Sequence, residues 1–312
     1  MITIKVRKRL KIRFAFYIFL VVLTKLFFIH QPLQAKVPEN RLVTTDWLQS
    51  QLHRPDLRII DMRADIRDYW AGHIPGAVYL DETALRWPEK GVPGKLMPVE
   101  VLVKLLQQLG ISRKTTVIIY TEINNYRATY FAWALDYLRH ESWAILDGGF
   151  NRWKNEGRPT NQDYPALTTS VYEGKIKPDE EIRASLDQVR KRDPKVTVLL
   201  DVRPPEFFSG ERGTWKRRGH IPGALNIPWS AFLKEDGSWR DLELIRNNLN
   251  EMGIMPAKTI ILYCGQGLMA SHTYLTLKYI LKFPTVKIYD GGFNEWSNRE
   301  DLPVETGDSE KK

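Results

Sequence analysis

The chain carries one pattern of motifs twice, and this duplication constrains its fold more than any other feature. Four short blocks recur in the same order, with 140 to 147 residues separating the two copies of each block. The blocks lie at 59–63, 72–77, 117–121 and 147–153 in the first copy and at 199–203, 219–224, 260–264 and 290–296 in the second. A period this long indicates a duplicated domain, because solenoid repeats recur about every 20 to 50 residues.

Within each copy, short apolar runs alternate with segments of helical periodicity. In the first copy, residues 117–120 form a continuous apolar run, whereas residues 99–106 place apolar side chains at helical spacing. A continuous run is typical of a parallel strand buried on both faces. The alternation therefore predicts an α/β fold in which each copy is a parallel β-sheet flanked by helices on both faces.

The same pattern sets the predicted domain boundaries. We expect one domain over residues 40–157 and a second over residues 184–305. Residues 158–183 contain three prolines among many polar residues, which predicts a linker on the surface. Residues 306–312 form a polar tail.

The basic charge of the chain is concentrated at its N-terminus. Residues 1–35 contain seven basic residues and no acidic ones, so the formal net charge of +9 falls to +2 for residues 36–312. A nearly neutral body does not favour nucleic-acid binding. The basic residues precede an apolar run at 14–23 and a small residue at Ala35, which is the layout of a cleaved secretory signal.

We therefore expect an exported, periplasmic protein whose mature chain begins near Lys36. An uncleaved membrane anchor is the alternative, and it would leave the domains outside the cytosol. The apolar stretch 14–29 has sixteen residues, slightly short for a spanning helix. A membrane is a partner only in that second case.

Cys264 is the only cysteine of the chain, and its position predicts a nucleophile. It ends the apolar run 259–263 and precedes a loop of small residues and a predicted helix. Backbone amides and the helix dipole stabilise an anion at such a loop, so we expect a lowered thiol pKa. The alternative is a small buried hydrophobic residue, the commoner role of a free cysteine. The predicted cradle comprises Gly265, Gln266, Gly267, Leu268, Met269 and Ala270.

The same loop argues against two other classes of site. Cysteine phosphatases hold phosphate with an arginine six residues after the cysteine, and here that position is Ala270. One cysteine and scattered histidines provide no zinc-ligand spacing. We therefore expect neither phosphate-ester hydrolysis nor a metal site.

Taken together, the repeated blocks resemble one family. Asp-x-Arg, Gly-His-Ile-Pro-Gly-Ala, Tyr-Cys-Gly-x-Gly and Asp-Gly-Gly-x-x-x-Trp are similar to the motifs of tandem-domain rhodanese-like sulfurtransferases, of the thiosulfate or 3-mercaptopyruvate type, over about residues 40–305. The resemblance implies that the second domain is catalytic, that Cys264 carries a persulfide, and that no cofactor is needed. Thr121 stands where Cys264 stands in the second copy, so the first domain is expected to be silent.

The implied activity moves a sulfane sulfur from thiosulfate or 3-mercaptopyruvate to a thiophilic acceptor. Expected partners are a small anionic donor and a thiol or cyanide acceptor, with a thioredoxin-like protein among the candidates. A persulfide carrier or redox partner that receives sulfur from another protein is the alternative function. An inactive binding protein that keeps the fold is a third.

The resemblance also implies residues that bind the donor. An arginine in the segment before Gly219 is expected to face the donor's anionic group, which makes Arg212 and Arg218 candidates. His73 matches the histidine that the mercaptopyruvate branch pairs with an aspartate, for which Asp61 and Asp65 are the candidates, and with a loop serine. In this chain Gln266 stands at the serine position, and the loop lacks the basic residues typical of the thiosulfate branch. The donor and the oligomeric state stay open at this point.

Overall fold

The protein is described here by a computed structural model that covers residues 36–123 and 126–307. The predicted signal segment 1–35 and most of the predicted tail lie outside these residues. Within the described part, no helix is long and apolar enough to cross a membrane.

The first copy forms a five-stranded sheet in which every paired strand is parallel. The spatial order is β1-β7-β6-β2-β3. Its strands are β1 (Leu42–Val43), β2 (Leu57–Asp61), β3 (Ala77–Tyr79), β6 (Thr116–Tyr120) and β7 (Trp143–Leu146), and its helices are α1 (Thr45–Gln51), α2 (Ile66–Ala71), α3 (Val99–Gln108), α4 (Tyr126–Tyr137) and α5 (Gly149–Asn155).

The second copy forms a four-stranded parallel sheet of order β11-β10-β8-β9. Its strands are β8 (Thr197–Asp201), β9 (Leu225–Asn226), β10 (Thr259–Tyr263) and β11 (Val286–Ile288), and its helices are α6 (Leu186–Arg190), α7 (Pro205–Ser209), α8 (Leu242–Glu251), α9 (Leu268–Leu275) and α10 (Gly292–Ser297). A π turn over Thr276–Ile280 continues α9. The predicted α/β class with two parallel sheets is confirmed.

Alternate residues of the central strands enter separate cores, which explains their continuous apolar runs. In β6, Ile119 packs in a large core with α3 and α4, whereas Ile118 packs in a smaller core with α1 and α5. In β10, Leu262 joins the same large core and Ile261 faces α6 and α10. The large core thus belongs to both copies, since it buries one face of each sheet.

Each copy repeats one buried ion pair next to the same turn. Arg63 pairs with Asp61 and donates to the carbonyl of Gly72, at 2.7 and 2.8 Å. Arg203 likewise pairs with Asp201 and donates to the carbonyl of Gly219. A buried charge is tolerated only when it is paired, so these blocks recur because they fix the turn against the sheet.

An antiparallel hairpin, β4 (Arg86–Glu89) and β5 (Val92–Leu96), leaves the sheet of the first copy. Asn294 of the second copy donates to the carbonyl of Pro93 in this hairpin, and Lys95 pairs with Glu295. The apolar pattern of the sequence does not predict this hairpin.

Candidate active site

Cys264 lies in the loop between the end of β10 and the start of α9. The side chain is buried, with 2% of its surface exposed. Backbone amides of Gln266, Met269 and Ala270 donate toward the thiol sulfur. Gly267 precedes α9 with φ of +78°, a left-handed conformation that glycine adopts without strain. The loop therefore directs several amides at one atom.

Burial dominates the titration of this thiol. It raises the pKa of Cys264, whereas the amides of Ala270, Gln266 and Met269 and the positive charge of Arg86 act in the opposite direction. The sequence-based expectation of a lowered pKa is wrong for this state of the loop, because removing the thiolate from water outweighs the amide donors.

The Asp-Gly-Gly block supports the loop from below. Phe293 donates to the carbonyl of Cys264 at 2.8 Å, and Asn294 donates to the carbonyl of Gly265 at 3.1 Å. A side chain at Gly292 would place its Cβ 2.5 Å from both carbonyl oxygens. The second glycine of the block is needed because the cysteine loop lies directly on it.

The first copy contributes the other wall of the site. Arg86 donates from Nη1 to the carbonyls of Gln266 and Gly94, each at 2.7 Å. An added Cβ at Gly94 would lie 2.7 Å from Nε2 of Gln266, so the hairpin backbone contacts that side chain. The sequence does not mark Arg86 or Gly94 as residues of the site. Its one signal in this region is a Pro- and Gly-rich segment that precedes a helix.

Asp290 joins the loop to the first copy. Its carboxylate accepts from the backbone amide of Leu96 at 2.7 Å and from the Tyr130 hydroxyl at 3.0 Å. Arg183 lies 3.7 Å away. Burial raises the pKa of Asp290. This carboxylate packs against Gly267, where an added Cβ would approach it to 2.4 Å.

The predicted donor-binding arginines flank, in the sequence, an aromatic residue that covers the loop. An added Cβ at Gly265 would lie 2.6 Å from Cζ2 of Trp215, so this ring rests on the residue after Cys264. Arg212 and Arg218 are exposed. Arg212 lies 3.9 Å from Glu206, and Arg218 makes a long 3.5 Å contact to the carbonyl of Glu211.

Arg217, which lies between these two in the sequence, is engaged in structural contacts. Its guanidinium donates to four backbone carbonyls in the region where α10 ends. A guanidinium so occupied has no fork left for a donor anion. Arg217 thus has a structural role, whereas Arg212 and Arg218 are exposed.

His73 does not have the environment expected of a donor-binding residue. Its ring is buried, stacks on Tyr69 at 3.9 Å, and places its two nitrogens 2.9 and 3.1 Å from the carbonyls of Tyr69 and Asp163. Both nitrogens are therefore occupied, one by the first copy and one by the segment that follows it. The same turn of the second copy holds His220 against Phe208 in a similar way, so the repeated histidine stabilises a turn.

The aspartates suggested as partners of His73 are engaged elsewhere. Asp61 pairs with Arg63, and Asp65 pairs with Arg67. Within the part of the chain that the structure describes, His73 and these aspartates form no relay to the cysteine loop. Among the described residues, no group of three or more His, Cys, Asp or Glu side chains is arranged to hold a metal ion.

At Thr121 the first copy keeps the backbone contact made at Cys264, without the thiol. Thr121 is buried, and its carbonyl accepts from Phe150 at 2.8 Å, as the carbonyl of Cys264 accepts from Phe293. Gly237 of the second copy packs on Ile123, with 2.4 Å between an added Cβ and Cγ2. The two loops are thus each covered by a segment of the opposite copy.

Comparisons with known proteins agree with this geometry. The profile of the rhodanese-like domain matches residues 44–156 and 185–299. The chain is 37% identical over 279 residues to the sulfur carrier protein TtuD of Thermus thermophilus, covering 86% of this chain and 97% of the relative. It is 35% identical over 277 residues to a Synechococcus elongatus protein named "Putative thiosulfate sulfurtransferase", covering 86% and 85%.

A solved structure shares the fold. An EanB variant in complex with ergothioneine covalently linked to a cysteine persulfide superimposes with a TM-score of 0.77 and 26% identity. The match covers 88% of this chain and 72% of that protein.

Proposed function

This chain belongs to the tandem-domain rhodanese-like sulfurtransferases, and we propose that it transfers sulfane sulfur through a persulfide on Cys264. The observation that carries the proposal is the set of three loop amides directed at the sulfur of the one cysteine. Amide donors fixed before the reaction stabilise an anion where it forms.

The proposed reaction has two half-reactions. The Cys264 thiolate attacks the outer sulfur of thiosulfate, a new S–S bond forms, and the donor's S–S bond breaks as sulfite leaves with the electron pair. With 3-mercaptopyruvate the C–S bond breaks instead and the leaving group takes a proton to become pyruvate. A nucleophilic acceptor then attacks the outer sulfur of the persulfide and releases the thiolate, which gives ping-pong kinetics.

Arg212 and Arg218 are the proposed donor-binding residues. Both are exposed and weakly engaged, and Trp215 between them lies on the cysteine loop. A guanidinium there would attract the sulfonate of thiosulfate or the carboxylate of 3-mercaptopyruvate. The ring of His73 is occupied, and Gln266 places an amide where the mercaptopyruvate branch has a serine. Thiosulfate and 3-mercaptopyruvate therefore both stay candidate donors.

The first prediction concerns Cys264. We expect Cys264→Ser to abolish sulfur transfer to cyanide from thiosulfate and from 3-mercaptopyruvate, measured side by side. Intact mass after donor treatment should increase by one sulfur atom in the parent protein and stay unchanged in the variant. Thr121→Ser, the matched change in the silent copy, should leave both measurements unchanged. Sulfur transfer retained by Cys264→Ser would contradict the proposal.

A persulfide carrier is the second candidate function. It is favoured by the 37% identity to a protein named as a sulfur carrier. A carrier would accept one sulfur per molecule from a partner protein and turn over small donors slowly. Rapid steady-state turnover of either small donor would therefore support the enzyme and exclude the carrier as the main role.

A further inference from the structure

One buried cation of the first copy reaches the cysteine loop. Arg86 begins β4, and its side chain is 14% exposed. The guanidinium lies 4.1 Å from the centroid of the Tyr130 ring, and its Nη2 lies 3.3 Å from Glu82. Tyr130 also donates to Asp290 behind the loop. Contacts within the first copy thus hold the Arg86 side chain in place, and from there it contacts the second copy.

The contact to Gln266 restrains the loop backbone. The amide of Gln266 is one of the three directed at Cys264, and its carbonyl accepts from Arg86 at 2.7 Å. The carbonyl of Gln266 defines the plane of the peptide between residues 266 and 267. Holding it fixes this plane next to Gly267, the most flexible residue of the loop. Arg86 thereby limits rotation of the peptide that leads into the remaining amides.

Arg86 carries one of the positive charges that act on the thiol. Arg203 also interacts electrostatically with Cys264, but it is paired with Asp201. Two carboxylates act on Arg86: Asp290, which also interacts with Arg183, and Glu82, which Arg86 contacts directly.

We propose that Arg86 is a positioning residue of the cysteine loop, which holds the Gln266 carbonyl from the first copy and favours the anionic form of the sulfur. The inference deepens the proposed function, because it explains how a domain without the thiol takes part in the reaction. A purely structural link between the copies is the competing explanation, so the test needs readouts other than stability.

The test compares Arg86→Lys and Arg86→Gln in the full-length chain. Arg240→Gln is the control, since Arg240 donates to the Leu233 carbonyl in the segment that covers the silent loop. The measurements are the rate of Cys264 alkylation by iodoacetamide from neutral to alkaline pH, kcat and KM with thiosulfate and cyanide, and urea unfolding.

We expect Arg86→Gln to slow alkylation at neutral pH about tenfold, because loss of a nearby cation raises a thiol pKa by about one. Arg86→Lys should keep most of the alkylation rate, because it keeps the charge. Its kcat should still fall about tenfold with KM nearly constant, since an ammonium does not reproduce the planar guanidinium, whose Nη1 donates to both carbonyls while its Nη2 contacts Glu82. Arg240→Gln should match the parent in all three kinetic quantities.

The outcomes separate this inference from the proposed function. If both Arg86 variants keep the parent's alkylation profile and kcat, Arg86 only links the copies and the inference is wrong. If the parent transfers no sulfur, the proposed function fails while the alkylation profiles still decide the role of Arg86. If Arg86→Gln does not fold, the kcat of Arg86→Lys decides, because that variant keeps the buried charge.

Discussion

At Cys264 the fold applies two opposing effects to one sulfur atom. Burial raises the thiol pKa, and three amides together with Arg86 lower it. Only the thiolate attacks a donor, so the deprotonated fraction limits the first half-reaction at neutral pH. A buried thiol of this kind is also protected from stray oxidants, which matters for a protein expected to work outside the cytosol.

His272, on the helix that follows the cysteine loop, is a buried imidazole held in its neutral form. Its ring lies between Trp229 and Trp239, each 5.3 Å away between centroids. Neither ring nitrogen has a hydrogen-bond partner among the described residues. Burial lowers the pKa of His272 to about 3 from the ordinary 6.5. The folded protein thus holds this ring neutral while an unfolded chain would protonate it.

This predicts a pH-dependent loss of stability. The contribution of His272 is fully present above pH 6.5 and is lost as pH falls toward 3, because the unfolded state binds the extra proton. At about pH 5 the loss is about 2 kcal/mol. His272→Phe keeps an aromatic ring between the tryptophans but removes the titrating group. Between pH 7.5 and pH 5, its free energy of unfolding in urea should therefore fall by about 2 kcal/mol less than that of the parent protein. Parallel pH profiles for the two proteins would contradict the prediction.

Some residues of the site can be recognised in the sequence and others cannot. Cys264 can be recognised, because it is the one cysteine and it follows an apolar run. Arg86 and Gly94 cannot be recognised, because 180 residues separate Arg86 from the carbonyl that it holds. The predicted donor-binding role of His73 does not fit its place in the fold, because its motif marks a turn. The two carbonyl partners of the ring are visible only in the structure.

At the scale of elements, each copy covers the loop of the other with one segment. Gly94 in the β4–β5 hairpin touches Gln266, and Gly237 in the second copy touches Ile123. Both glycines have φ of +78°. The covers therefore match in backbone conformation at these glycines, but only one of them lies on a loop that carries a thiol. Strand and helix periodicity predicted the sheets, whereas a short Pro-Gly hairpin has too few apolar positions to show a period.

This pair gives a controlled prediction. Gly94→Ala and Gly237→Ala should each cost about 1–2 kcal/mol in urea unfolding, because alanine is strained at positive φ. Only Gly94→Ala should also lower kcat, by about tenfold, since its methyl group displaces the Gln266 side chain from the loop. Adding Gln266→Ala to Gly94→Ala should recover part of the stability by removing the clash. Equal kcat for the two glycine variants would show that the hairpin does not influence the loop.

At the scale of the whole molecule, we propose that the N-terminal segment directs the protein out of the cytosol. We expect mass spectrometry of protein from the native host to find a mature chain that begins near Lys36. The concentration of positive charge ahead of a short apolar run is suited to a translocon. Residues 1–35 retained on soluble cytosolic protein would contradict export, and their retention on membrane-bound protein would favour the anchor.

The two copies form a single reactive unit because the helices after their loops pack together. Ser271 of α9 contacts Thr129 of α4 through their hydroxyl groups at 2.8 Å. Tyr274 and Lys278 both contact Asp136 on α4. The large apolar core also runs through both copies. A second copy alone would expose this face and lose Arg86, Tyr130 and the hairpin.

We therefore expect a fragment of residues 180–312 to lose about 90% or more of the sulfur-transfer activity, because the restraints on the cysteine loop from Arg86, Tyr130 and the hairpin come from the first copy. The assay compares kcat for the fragment and the full chain, with circular dichroism to report whether the fragment folds. Adding a separately produced fragment of residues 36–179 should restore part of the activity if the two pieces reassociate through the shared core. Full activity in the folded 180–312 fragment alone would show that the second copy builds the site by itself, and the first copy would then have no part in catalysis.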